Sequence, residues 1–185
     1  MTPALWAALV ADTHLLPRGG EVALPAPLVE QLVGARAILH VGDIACTEVL
    51  ERLGAIAPVH AVRGNVDPPD LGIPLRRVVI LGAFRIALAH GDRGPGATTL
   101  ERARRAFAPE EADVVVFGHS HQALIEREPA GRLLVNPGSP TQPRGRPPTF
   151  AVLDLDGPRP EARLVRLDLP GAGPAMGPAL RRRGR

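Results

Sequence analysis

The sequence predicts an α/β protein built on two facing β-sheets with helices outside them, and three observations predict it. Up to about residue 74, apolar strand-like runs alternate with helical patterns, the rhythm of parallel β-α-β units. Beyond that point strand-like runs dominate and most neighbours are joined by short turns, which favours antiparallel pairing. At 185 residues the chain suits one domain with a sizeable core. That many strands with so few helices can be buried as two stacked sheets.

The elements follow in order. Residues 5–11 are an unbroken apolar run, read as a buried strand. A helix opened by proline is expected over 27–35, because the missing N–H of Pro costs nothing in a first turn. Strand 37–41, helically spaced 47–53 and strand 59–63 continue the alternation. Residues 76–81 and 84–89 flank the tight turn Gly82-Ala83 and predict a hairpin. A helix over 97–107 carries its charges on one side, and strands are expected over 113–117, 123–128, 133–136, 150–155 and 162–167. The first sheet should be partly parallel and the second more antiparallel. The domain spans 1–169; residues 170–185, rich in Pro and Gly and ending Arg-Arg-Arg-Gly-Arg, are expected to be a solvated tail.

Composition narrows the function. With 45% hydrophobic and 22% charged residues the chain is globular, and with 3% aromatics its core must be aliphatic. All the basic residues are Arg, yet the net charge is only +3, so no stable nucleic-acid complex is expected. Cys46 is the one cysteine, which excludes an internal disulfide and a thiolate metal cage and fits a reducing cytoplasm. The apolar start lacks a positive leader and is interrupted by Asp12 and His14, so a signal peptide is not expected. No apolar run is long enough to span a bilayer, so a cytoplasmic protein without a membrane partner is expected. Nothing argues against a homo-oligomer.

The chemistry lies in five polar clusters, each directly after a strand. They are Asp12-Thr13-His14, Gly42-Asp43, Gly64-Asn65-Val66-Asp67, His90-Gly91-Asp92 and Gly118-His119-Ser120-His121. Ligand sites of open α/β sheets lie beyond the carboxyl ends of strands, so five such ends could converge. Asp12, Asp43, Asn65, His14, His90, His119 and His121 would then supply two carboxylates, an amide oxygen and four of the chain's six imidazoles. Mixed oxygen and imidazole donors suit Mn, Fe, Ni or Zn. Seven donors are too many for one ion; with Asp43 as a bridge they divide between two. Gly42, Gly64 and Gly118 are expected to let the chain turn sharply off its strand. An extended segment would put the rings of His119 and His121 on one side. Asp67, Asp92 and His40 are candidates for orienting ligand rings, with turn or core roles preferred for the last two.

This ordered set resembles the calcineurin-like metallophosphoesterase superfamily, most closely its small phosphodiesterases of the YfcE type. The likeness runs from Asp12 to about Leu155 and includes Arg63-Gly64-Asn65-Val66-Asp67 and Asn136-Pro137-Gly138-Ser139. It implies a four-layer α/β/β/α sandwich and two divalent ions, Mn favoured, in agreement with the two-sheet reading. Carried over, Asp12, His14, Asp43 and His121 would hold one ion; Asp43, Asn65, His90 and His119 would hold the other. The implied reaction is hydrolysis of a phosphodiester substrate by a hydroxide bridging the ions, with Asp43 and His119 given the catalytic part. Asn136 and Arg144 are candidate substrate or supporting residues. One departure is Val66, where many members have a His thought to protonate the leaving group or bind the phosphate, and a Val side chain can do neither. This favours easily displaced leaving groups. Gly42-Asp43 also continues as Ile44-Ala45-Cys46 and not Asp-Arg-Gly, which argues against a protein phosphatase. The same branch includes the retromer subunit Vps29, so the alternative is a protein-binding scaffold.

Overall fold

The computed structural model describes residues 4–169; the C-terminal segment 170–185, with its expected tail, lies outside the described residues. In chain order the strands of the first half are β1 (Trp6–Val10), β2 (Ala37–Val41), β3 (Val59–Val62), β4 (Arg76–Leu81) and β5 (Phe84–Ala89). Those of the second half are β6 (Val114–Val116), β7 (Leu124–Arg127), β8 (Leu133–Asn136), β9 (Thr149–Asp154) and β10 (Glu161–Arg166). The helices α1 (Ala26–Leu32) and α2 (Thr47–Gly54) join β1 to β2 and β2 to β3, and α3 (Thr99–Ala106) joins β5 to β6. Pro27 sits in the first turn of α1 as expected. Thr98 caps α3, its hydroxyl accepting from the Glu101 amide at 3.1 Å.

The strands form two mixed sheets ordered β10-β9-β1-β2-β3 and β4-β5-β6-β8-β7. The expected contrast between the sheets is not found. In the first, β1–β2 and β2–β3 are parallel while β1–β9 and β9–β10 are antiparallel. In the second, β5–β6 and β6–β8 are parallel, flanked by the antiparallel pairs β4–β5 and β7–β8. The turn argument fails because it judges chain neighbours only. Here α3 serves as a crossover, β7 carries the chain out so that β8 returns parallel to β6, and β9 and β10 rejoin the first sheet.

Alternation along each strand builds the layers. Leu9 and Ala11 of the first sheet meet Ile86, Leu88, Val114 and Val116 of the second in one apolar core. Ala8, Val10 and Ile38 point the other way, under Leu28 and Leu32 of α1 and Val49 and Leu53 of α2. Ala87, Val115 and Leu134 pack under Ala103 of α3 and Phe107. The result is the α/β/β/α sandwich. Burial of each such Leu or Val contributes about 1.5–3 kcal/mol, which lets a core nearly free of aromatics hold rigid sheets. No helix among the described residues is long and apolar enough to cross a membrane. The five polar clusters leave the carboxyl ends of β1, β2, β3, β5 and β6.

Candidate metal centre

Side chains of four of those loops gather into two groups, Asp12 with His14 and His121, and Asp43 with His90 and His119. Asp43 stands between them: its Oδ1 lies 3.2 Å from His90 Nε2 and its Oδ2 lies 3.4 Å from His14 Nε2. Asn65 Oδ1 approaches His90 Nε2 at 3.2 Å, completing the seven predicted residues. In the other group His14 Nε2 and His121 Nε2 are 3.2 Å apart, and His121 Nε2 is 3.6 Å from Asp12 Oδ1.

The tautomers show what these atoms await. His90 Nδ1–H donates to the Val41 carbonyl at 2.7 Å and His121 Nδ1–H to the Gln142 carbonyl at 2.5 Å. Each ring therefore turns Nε2 into the site, and when neutral offers its lone pair there, as metal-ligating imidazoles do. The His90 lone pair faces only acceptor oxygens, from Asp43 and Asn65. Acceptor against acceptor is repulsive unless a cation lies between them, either a proton or a metal. Asp12 is fully buried with Oδ2 unpartnered, a cost of about 1–3 kcal/mol that a bound cation would offset. The donor set, oxygen and imidazole without thiolate, fits two borderline divalent ions.

Electrostatics agree. Burial, with the charge of Asp43 adding to it, pushes Asp12 up to about 7 against the opposing pull of His90. Burial pushes Asp43 upward too, but the hydrogen bond and charge of His90 and the Val66 amide outweigh it, and the carboxyl falls to about 2. Burial pushes His90 down; the Asp43 hydrogen bond and both carboxylate charges reverse this and raise it. His14, His119 and His121 are lowered, chiefly by burial, and so stay neutral and able to ligate.

The backbone carries the price of this arrangement. Asp12, His14, Asp43, His119 and His121 all have positive φ, between +46° and +66°, a region that side chains other than glycine adopt at a cost. His119 and His121 are thus not on an extended segment, and their rings go to different groups. The glycines also act differently from expectation. Gly42 does have φ +91°, but Gly64 and Gly118 are needed for space. A Cβ on Gly64 would lie 2.1 Å from Asp43 Oδ1, and one on Gly118 2.9 Å from Asp12 Oδ2.

Around the site, Asp67 holds backbone and not rings. Its Oδ1 accepts from the Ile44 and Ala45 amides at 2.7 and 2.8 Å, and its Oδ2 from the Gly64 amide at 2.7 Å. Asn136 braces the histidine loop by donating to the Gly118 carbonyl and Ser120 Oγ at 2.9 and 3.1 Å. Buried His40 pairs with Thr13 Oγ1 at 3.1 Å, and Asp92 pairs with the side chain of Arg93 at 2.9 Å. Arg144 is exposed, and its charge acts on Asp12, His14 and His121. Sequence reasoning missed Ser139 and Thr141, whose hydroxyls donate to the carbonyls of Asp12 and Thr13 at 2.8 and 2.6 Å. Hydroxyls after a Pro-Gly turn were the only signal for them.

Comparison with known proteins agrees with this geometry. The profile of the calcineurin-like phosphoesterase superfamily domain matches residues 6–157. A probable metallophosphoesterase of Methanothermobacter thermautotrophicus is 35% identical over 163 residues, covering 88% of this chain and 92% of the relative. Among solved structures, a predicted phosphoesterase of Streptococcus pneumoniae TIGR4 superposes with TM-score 0.64 at 25% identity, covering 92% of this chain and 96% of that one. Vps29 of Chaetomium thermophilum gives TM-score 0.69 at 20% identity over 92% of this chain and all of its own, a likeness of fold. Since the profile covers nine of the ten strands and every residue of both groups, the chain belongs to the calcineurin-like phosphoesterase superfamily.

Proposed function

We propose that the chain is a metal-dependent phosphodiesterase working at a binuclear centre. The observation that carries this is Asp43, one buried carboxylate turning one oxygen to each of two donor groups. Asp12, His14, His121 and Asp43 would hold one ion, and Asp43, Asn65, His90 and His119 the other. When bound, the ions supply Lewis acidity at the phosphoryl oxygens and lower the pKa of a water to near neutrality. The chain does the rest by position. Val41 and Gln142 carbonyls fix the two ring tautomers, Asp43 stays ionised, and Asp67 and Asn136 hold the loops.

Two grooves beside the donor groups support a diester over a monoester. One of about 780 Å³ is lined by His14, Leu16, Arg18 and Thr141. The other, of about 430 Å³, is lined by Thr98, Ser120, Gln122 and Arg146. A diester has two substituents to place and a monoester one. Val66, 47% exposed and bonded to Asp43 only through its amide, offers no proton to a leaving group. The expected substrates therefore have good leaving groups.

The test is hydrolysis of bis-p-nitrophenyl phosphate by metal-stripped protein, then with Mn, Ni or Zn restored, and with Asp43→Asn and His119→Ala. Metal-dependent turnover lost in both variants is the expected result. Stoichiometric metal binding without turnover under any metal would overturn the enzyme reading and favour a protein-binding scaffold on this fold.

A further inference from the structure

The loop from Ser139 to Arg146 contains a backbone feature that the donor set does not explain. The Arg146 amide donates to the Pro143 carbonyl at 3.0 Å, closing a turn whose central residues, Arg144 and Gly145, have φ +47° and +78°. Positive φ at both central positions is the type I′ pattern, in which Asn-Gly is favoured because most side chains are strained at the first of them. Here that position holds an arginine. A loop that served only as a connection would lose nothing with Asn or Gly there, so the strain points to a use for the side chain.

The loop is fastened to one half of the site. Ser139 Oγ and Thr141 Oγ1 tie it to the Asp12 and Thr13 carbonyls, and the Gln142 carbonyl holds His121 Nδ1. Arg144 follows two residues later, exposed, and no hydrogen bond or ion pair among the described residues uses its guanidinium. Thr141 and Gln142 line the larger groove and Arg146 the smaller, so the turn lies in the chain between the two.

We propose that Arg144 anchors the substrate: its guanidinium donates to a non-bridging phosphoryl oxygen of a diester seated at the Asp12, His14 and His121 group. This rests on the phosphodiesterase reading and gives it the anion-holding group that Val66 lacks. A guanidinium suits the task because its planar fork matches phosphate oxygens and never loses its charge.

Arg144→Gly, Arg144→Gln and Arg144→Lys, each in the full chain with Mn restored, test it. Arg144→Gly should melt at a higher temperature than the parent, since the strain is gone, and bind as much Mn. Its kcat/KM for bis-p-nitrophenyl phosphate should nevertheless fall by about 10- to 100-fold, the loss typical of a charge-assisted contact. Arg144→Gln should fall equally and Arg144→Lys recover part. Calorimetric affinity of the Mn-loaded protein for inorganic phosphate should drop in the same order. Retention of both kcat/KM and phosphate affinity within twofold in Arg144→Gly would overturn the proposal. If the parent hydrolyses no diester, the enzyme reading fails by itself and phosphate binding decides: unchanged affinity in Arg144→Gly overturns the anchor, and loss of affinity supports it.

Discussion

His90 presents Nε2 to Asp43 Oδ1 at 3.2 Å while the Val41 carbonyl holds its Nδ1–H at 2.7 Å. The ring cannot rotate its other N–H into the gap without breaking that bond. In metal-free protein the contact is therefore stable only with a proton on Nε2, which is why the two carboxylates raise His90. Asp12 likewise keeps its proton up to about pH 7, mainly through burial. Both protons must leave before ions bind, so metal affinity should weaken as pH falls below about 7. Calorimetry at pH 6.5 in buffers of unequal ionisation enthalpy should show release of about one or two protons per protein. A binding heat independent of buffer would sink this account.

Positive φ at His119, +66°, makes a second expectation. An L-residue in that conformation costs about 1–2 kcal/mol and glycine almost nothing. In metal-free protein His119→Gly should accordingly be more stable than His119→Ala by about 1 kcal/mol, although both lose the same ring. Urea midpoints measured side by side decide it, and equal midpoints would mean that the loop relaxes around Ala.

The same residues show what the sequence made legible. Strand positions and the seven residues that gather at the site could be read because apolar runs and the polar residues ending them are local features. Sheet membership could not, since β9 pairs with β1 across most of the chain while β8 lies beside β6 with β7 outside it. The split of His119 and His121 between the groups followed from the family resemblance and not from their spacing, because it depends on two residues in a conformation that periodicity assigns to neither strand nor helix. Asp67 looked like a ring-orienting acid, but its three partners are amides, which leave no sequence mark.

Asp67 joins the loop after β2 to the loop after β3, and only a carboxylate can accept from all three amides at once. Asp67→Asn keeps one acceptor oxygen and turns an NH2 group toward an N–H. The variant should lose about 2–4 kcal/mol of stability, as expected when charge-assisted buried bonds break. Because the Asp43 loop loosens with it, Mn affinity should drop by about 10- to 100-fold, the usual effect of disturbing support around ligands. Metal titration and chemical denaturation of the same variant check both. Undiminished affinity would show that Asp43 is held without this clasp.

His40 supplies a pH test apart from the ligand rings. It is fully buried in β2 and bonded to Thr13 Oγ1 at 3.1 Å, and burial pushes it down to about 4. The unfolded chain would bind a proton there near pH 6.5, well before the folded one does. Its neutral burial is therefore compatible with full stability above about pH 6.5, and stability is lost as pH falls from there toward 4. The loss attributable to this one ring reaches about 3 kcal/mol at its upper limit, at roughly 1.4 kcal/mol per pH unit. Asp12 acts in the opposite sense over pH 4 to 7, since its folded pKa is raised, so the parent alone gives a mixed curve. The comparison with His40→Gln removes that difficulty: Gln can still donate to Thr13 but does not titrate, while Asp12 is common to both. Between pH 7 and 5 the denaturation midpoint of the parent should fall faster than that of His40→Gln. Parallel curves would mean that His40 takes up its proton as readily in the fold as in the unfolded chain, and that the buried pair with Thr13 tolerates a charge.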